Sequence, residues 1–403
     1  MIKSRISLVL ALVAAVMAKD IEDDMTTPQL IQHWGYPAEI ISVTTTDGYV
    51  LEMHRIPYGK TGPGSAKRPV VFMQHGLECD SSNWVINLPS QSAGFLFADA
   101  GFDVWLGNMR GNTYSKAHTH LDPKHEQFWE FSWDEMGQHD LEAMINKALE
   151  VTGESSLYYI GHSQGTLTMF TKLSTDVEFS KKIKTMYALA PVGTVKHVKG
   201  LIEIAADLFL PEFKLWVKIF GSGEFLPNNW VMKLLAETLC HLPFGDKLCD
   251  DFMFLIVGPE QHGFNKSRTD VYISHTPAGT STQNIMHWAQ MVKAGTVARY
   301  DYGSAKKNQE HYGTSKPPSY DLASIVNPMY LYWSPEDWLA TERDIHDYLL
   351  NSLNPNYLKK VVKVNGYNHL DFIWGMDATA EIYLPIIQQI HADDAALNDP
   401  SKH

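Results

Sequence analysis

The stretch LYYIGHSQGTLT, residues 157–168, limits what this chain can fold into more than any other. An apolar run rich in Tyr and Ile breaks at Gly161-His162-Ser163-Gln164-Gly165, and a helix-compatible TLTMFTKL follows. The pattern predicts a strand, a tight turn and a helix. Glycines two positions either side of a serine remove the Cβ atoms that would collide with the neighbouring strand and helix, so the strained turn leaves the serine side chain standing at the helix start. Five residues alone are a weak signal; the flanking strand and helix give them weight.

The rest of the chain repeats the strand and helix alternation around this point. Two alternating runs over residues 41–57, joined at Asp47-Gly48, predict a β-hairpin. VVFMQHG, FDVWLGN and KTMYALAPV are buried-type strands, and apolar residues at helical spacing predict a helix over residues 133–151. From about Gly193 to Pro318 the alternation stops. Amphipathic stretches such as FKLWVKIF and NWVMKLLAETL, separated by Gly, Pro and Asn, predict a mostly helical insertion there. The alternation returns with NPMYLYWS, a helix over 341–353, LKKVVKVN, and a closing helix over 378–391. Continuous apolar strands between helices indicate an α/β fold with a mainly parallel sheet covered on both faces. A length of 403 residues suits one large core carrying an insertion.

A formal charge of −13 argues against a nucleic-acid partner and against simple electrostatic docking on anionic lipid. Lys3 and Arg5 precede an apolar run over residues 6–16, and small residues follow before Ala18. This reads as a secretory signal over residues 1–18, too short to span a membrane, and no other stretch reaches 18 apolar residues. The expected location is the secretory pathway, with the lysosome and the extracellular or gut lumen as destinations. Of the three cysteines, Cys240 and Cys249 are spaced to close a small loop, worth about 3 kcal/mol on the chain-entropy model, or to remain two reduced thiols. Cys79 is left over as a buried filler. Asn265-Lys266-Ser267 is a glycosylation sequon.

A serine hydroxyl needs a base, usually His, and a carboxylate that fixes the imidazole tautomer. In sheets of this kind the acid and the base follow the serine in that order, each on a loop after a strand. MYLYWS leads at once into Ser334-Pro335-Glu336-Asp337, and VVKVN into Gly366-Tyr367-Asn368-His369. Only these two loops combine a strand exit with the required side chain. Position alone leaves Glu336 and Asp337 as rival acids. Asp344 is expected on a solvated helix face, His346 to be structural, His162, inside the elbow, to point away from any neighbour two positions on, and His391 and His403 to be terminal or exposed. Asp371 lies on the same loop as His369 and is set aside as its acid. The oxyanion needs two main-chain N–H donors, expected from Gln164 and from Leu77 beyond the strand that ends in His75-Gly76. His75 has no H-x-x-x-H or H-E-x-x-H partner, so no metal is expected.

MQHGL (73–77), GNMRGNTYS (107–115), FWEFSWDEM (128–136), GHSQG (161–165), HTPAGTSTQNIMHWAQ (275–290) and YNHLDFIWG (367–375), in this order, resemble the acid lipases of the gastric and lysosomal type within the α/β-hydrolase superfamily. The resemblance covers nearly the whole chain after the signal. It implies Ser163 as nucleophile, Asp337 as triad acid, His369 as base, and the N–H groups of Leu77 and Gln164 as oxyanion donors. It implies a core over 19–193 and 319–403, a cap over 194–318 with a lid near 228–257, and a Cys240–Cys249 bridge. Two departures stand out: many relatives carry Gly-Gly before the acid where this chain has Pro335-Glu336, and a third cap cysteine is replaced near Val257.

The implied activity is hydrolysis of carboxylic esters in neutral lipids, triacylglycerol or cholesteryl ester, at acid pH and at a lipid–water interface, without a cofactor. An apolar cap sequence that includes Phe213, Trp216, Phe220, Trp230 and Leu234 gives a physical reason for a lipid substrate. The alternatives are a non-catalytic lipid carrier on the same scaffold and a small-ester esterase.

Overall fold

The computed structural model describes residues 21–65, 67–200, 223–226, 256–259 and 263–397. Eight strands form the body of one sheet: β1 (Glu39–Thr44), β2 (Tyr49–Ile56), β3 (Val70–Gln74), β4 (Asp103–Leu106), β5 (Leu157–His162), β6 (Ile183–Leu189), β7 (Met329–Trp333) and β8 (Leu358–Lys363). Their order is β1-β2-β4-β3-β5-β6-β7-β8. The first two form the predicted hairpin, with Thr44 opposite Val50 and Gly48 taking the left-handed φ of +100° in the turn. The pairs from β4 to β8 are all parallel.

Strands β3, β4 and β5 are buried at every residue, so both faces of the sheet centre are covered and the runs could be continuously apolar. The edge strand β8 instead exposes Lys359 and Lys360 and carries Lys363, charges that discourage pairing with another chain. Because β3 is flanked by β4 and β5, the chain leaves it first to one side and then to the other. Crevices form at such switch points, beyond the carboxyl ends of the strands.

The predicted helix at 133–151 is found over Trp133–Glu135 and Leu141–Thr152, with a wider turn at Met136–Asp140 between them. Between β6 and β7, the described residues include the helices Thr269–His275, Thr282–Ala294 and Ala305–Tyr312. They also include a short strand pairing: Glu224–Phe225 lies antiparallel to Thr280–Ser281. Two-residue strands carry no alternation to read. Residues 1–18, most of the proposed lid, Cys240, Cys249 and the apolar residues 213–220 and 230–234 lie outside the described residues.

Candidate active site

Strand β5 runs into Ser163, which has φ +52° and ψ −119°, and the helix Gln164–Thr175 starts at the next residue. A left-handed φ is disfavoured for a residue with a Cβ, so the surroundings must hold it. The Ser163 N–H donates to the Leu189 carbonyl at 3.1 Å, and its carbonyl accepts from Thr166 Oγ1 at 2.7 Å. Both flanking glycines are dictated by close approach. A Cβ on Gly165 would lie 2.5 Å from the Gln74 carbonyl oxygen, and one on Gly161 would lie 2.9 Å from the Gly165 backbone. The spacing read from sequence is therefore a packing requirement between β3, β5 and the helix.

The loops after β7 and β8 bring the acid and the base to this serine. His369 Nε2 is 2.7 Å from Ser163 Oγ, and His369 Nδ1 is 2.8 Å from Asp337 Oδ2. Asp337 is fully enclosed, and its Oδ1 also accepts from the N–H groups of Leu339 (2.8 Å) and Ala340 (2.9 Å). A carboxylate held at both oxygens orients the imidazole with Nδ1–H toward the acid and the Nε2 lone pair toward the serine.

Glu336, the rival acid, points elsewhere. Its Oε2 accepts from Ser334 Oγ at 2.9 Å and from the buried Gly366 N–H at 2.7 Å, joining the acid loop to the base loop. The Val257 carbonyl adds a second brace, accepting from the N–H of Trp338 (3.3 Å) and of His369 (3.2 Å). Gly258, with φ +113°, sits so close that a Cβ would be 2.4 Å from the Glu336 carbonyl oxygen.

Parallel pairing of Gln74 with Gly161 sets the loop after β3 beside the elbow, and a Cβ on Gly76 would lie 3.0 Å from Ser163 Cβ. Among the described residues, neither the Leu77 N–H nor the Gln164 N–H has an acceptor. The Gln164 side chain is fixed: its Oε1 accepts from Asn284 Nδ2 (2.9 Å) and Trp288 Nε1 (2.8 Å). His75 is buried, its Nδ1 2.8 Å from the Gly76 carbonyl while Nε2 accepts from the Met109 N–H at 3.1 Å. Burial pushes its pKa below the ordinary histidine value, and with both nitrogens engaged it anchors the loop as a neutral ring. No three His, Cys, Asp or Glu side chains converge as a metal site among the described residues.

One rival is placed differently from the sequence reading, and another makes a contact the sequence did not show. His162 Nε2 donates to the His369 carbonyl at 2.8 Å. Burial, with a contribution from His369, holds it neutral well below the usual range. No local signal could have shown this, because the acceptor lies 207 residues away. Asp344 is not on a solvated face; it is buried and accepts from the N–H of His197 at 3.0 Å and from Thr341 Oγ1 at 3.0 Å. A helix period cannot reveal a partner arriving from a loop 147 residues earlier. His346 packs edge-on against Trp333, and His391 is exposed. The side chain of Asp371 accepts from the Asn368 N–H at 2.8 Å and shapes the base loop. Cys79 is buried and its thiol is pushed up to about 12, which makes it unreactive. Asn265 Nδ2 donates to Gln91 Oε1 at 2.9 Å.

Residues 69–220 match the family described as alpha/beta hydrolase fold, and residues 27–88 match a partial alpha/beta-hydrolase lipase region. The chain is 59% identical over 391 residues to Lipase lipl-1 of Caenorhabditis elegans, covering 96% of each chain. It is 45% identical to human gastric triacylglycerol lipase over 373 residues, 92% of each chain. It is 44% identical to a putative lysosomal acid lipase/cholesteryl ester hydrolase of Crotalus adamanteus over 376 residues, again 92% of each. With the elbow, the loop order and these identities together, the chain belongs to the gastric and lysosomal acid lipase family of the α/β-hydrolase superfamily.

Proposed function

We propose that the protein hydrolyses carboxylic esters of neutral lipids, triacylglycerol or cholesteryl ester, through an acyl-enzyme on Ser163. The observation that carries this reading is the unbroken hydrogen-bonded chain Ser163–His369–Asp337. Ser163 Oγ attacks the ester carbonyl carbon as His369 Nε2 takes its proton. The carbonyl oxygen, now an anion, is received by the Leu77 and Gln164 N–H groups. As the C–O bond to the alcohol breaks, His369 returns the proton to the leaving oxygen. Water then enters, gives a proton to His369 and attacks the acyl carbonyl; as the bond to Ser163 Oγ breaks, His369 returns that proton to Oγ, releasing the fatty acid and the free serine.

The cap over residues 194–318 and a lid near 228–257 belong to this proposal, as do a Cys240–Cys249 bridge, a glycan at Asn265, passage through the secretory pathway and operation at acid pH. Names of relatives that refer to the stomach and the lysosome support the location. None of the described helices is long and apolar enough to cross a membrane. A serine-reactive phosphonate tests the chemistry: covalent mass on Ser163 in the wild type and none in Ser163→Ala is expected, and an unlabelled wild type points to a lipid carrier instead. Turnover of long-chain triglyceride and cholesteryl ester emulsions above that of short soluble esters is expected; the reverse ranking makes the protein a small-ester esterase. A rate maximum above about pH 8 would remove the acid assignment.

A further inference from the structure

The loop that carries Leu77 is held unevenly. At its start, His75 takes hydrogen bonds from Met109 and from Asn112 Nδ2 (3.2 Å), and at its end Asn112 Nδ2 reaches the Cys79 carbonyl at 3.4 Å. Between them, every hydrogen bond that reaches Leu77 or Glu78 from elsewhere in the described chain ends on Glu78. Its carbonyl accepts from the Ala278 N–H at 2.7 Å and its Oε2 from the Gly279 N–H at 3.0 Å. Glu78 also takes a left-handed φ of +57°, which a residue with a Cβ adopts only where its surroundings compel it. Its remaining oxygen, Oε1, is enclosed and has no hydrogen-bond partner among the described residues.

We propose that Glu78 is a positioning residue for the Leu77 N–H, tying the oxyanion loop to residues 278–279 of the insertion through its main chain and its side chain together. This rests on the reading of Ser163 as an esterase nucleophile whose oxyanion Leu77 receives. Residues 278–279 are themselves fixed: Thr113 Oγ1 donates to the Ala278 carbonyl at 3.3 Å, and Thr280–Ser281 pairs with Glu224–Phe225. The carboxyl therefore locks the donor against a braced surface.

The lock depends on protonation. The charged groups acting on Glu78 are Glu224, from the facing two-residue strand, and Lys116, which is ion-paired with Glu224. Burial is the largest influence and raises the Glu78 pKa well above the ordinary glutamate value; Glu224 adds to this, while Lys116 and the Gly279 N–H oppose it. The neutral acid is thus the form the fold accommodates. Its contribution is complete below the ordinary glutamate pKa and is lost as pH rises through the raised one. Above that pH an enclosed anion with an unpaired oxygen loosens the loop, so Glu78 sets the alkaline limit of the rate.

The test uses the full-length enzyme and a soluble monomeric ester, p-nitrophenyl butyrate, with phosphonate labelling of Ser163 in parallel. Glu78→Ala is expected to lower kcat roughly 10- to 100-fold with little change in KM, because the oxyanion donor is displaced while the ester pocket is untouched. Glu78→Gln keeps a neutral acceptor for Gly279; it is expected to restore kcat at acid pH and to extend the alkaline limb, holding about tenfold more of its maximal rate than wild type one unit past the wild-type limit. A Glu78→Gln profile that falls at the same pH as wild type overturns the proposal, as does an unchanged kcat in Glu78→Ala. If Glu78→Ala does not fold, the Glu78→Gln profile decides alone. A wild type that is neither labelled nor active overturns the esterase reading itself and this proposal with it, an outcome distinct from an active, labelled wild type whose variants show no effect.

Discussion

At the elbow, Ser163 is held by what cannot be added. The Gln74 carbonyl 2.5 Å from a Cβ on Gly165 and the Gly165 backbone 2.9 Å from one on Gly161 leave the turn a single shape. Across the site, Asp337 and His369 are held by what cannot be removed: the N–H groups of Leu339 and Ala340, the Glu336 bridge to Gly366, and the Val257 carbonyl between Trp338 and His369. One side of the site is shaped by steric exclusion between sequence neighbours and adjacent strands. The other is shaped by polar contacts between distant loops, each of which works only if both partners are present and in the right protonation state. A steric frame should therefore fail in stability when enlarged, and a polar frame should fail in rate when one atom is changed.

The largest effect is expected from Asp337→Asn. An amide can keep accepting from Leu339 and Ala340, but it offers N–H rather than a lone pair to His369 Nδ1 and so favours the wrong tautomer; kcat should fall about 10⁴-fold with thermal unfolding little changed. A loss no greater than about tenfold would mean that the polar side does not set the rate. Gly165→Ala is next: the added methyl meets backbone that cannot turn aside, and urea unfolding should show a loss of about 3 kcal/mol or more. A cost below about 1 kcal/mol would break the steric half of the contrast. Glu336→Ala leaves the buried Gly366 N–H without its acceptor, at about 1–3 kcal/mol of stability, and should slow kcat by about tenfold as the two loops part.

The smallest effect belongs to His162, the elbow residue that bonds to the polar side. Because its folded pKa is depressed, its contribution to stability is present above the ordinary histidine value of about 6.5 and declines as pH falls below it. His162→Gln retains a donor for the His369 carbonyl and cannot titrate. Urea titrations at a series of acid pH values should show a flatter decline in the variant, with kcat within about tenfold of wild type. Equal slopes would show that the elbow is not pH-sensitive at this position.

The same contrast explains what could be read from the chain. Glycine spacing reports steric exclusion directly, so the elbow and its strand and helix were legible, and the loops carrying His369 and the acid followed from strand order. The choice of Asp337 over Glu336 was not legible from the residues, since both sit at the strand exit; the family resemblance favoured Asp337, and in the structure it is Glu336 that turns to Gly366. Asp344 was misplaced, and the contact of His162 missed, for one reason: their partners, His197 and the His369 carbonyl, arrive from far along the chain. The Glu224–Phe225 pairing was invisible because two residues have no period.

Ser163 and His369 are separated by 206 residues, and Asp337 also follows the long stretch between β6 and β7. During synthesis at about 5–20 residues per second, Ser163 therefore precedes His369 by roughly 10–40 s. Throughout that interval the emerging chain carries the elbow serine with no imidazole to take its proton. On the proposed mechanism, hydrolytic power arrives only once β8 and the loop after it have emerged, so the order of the elements keeps the site silent until then.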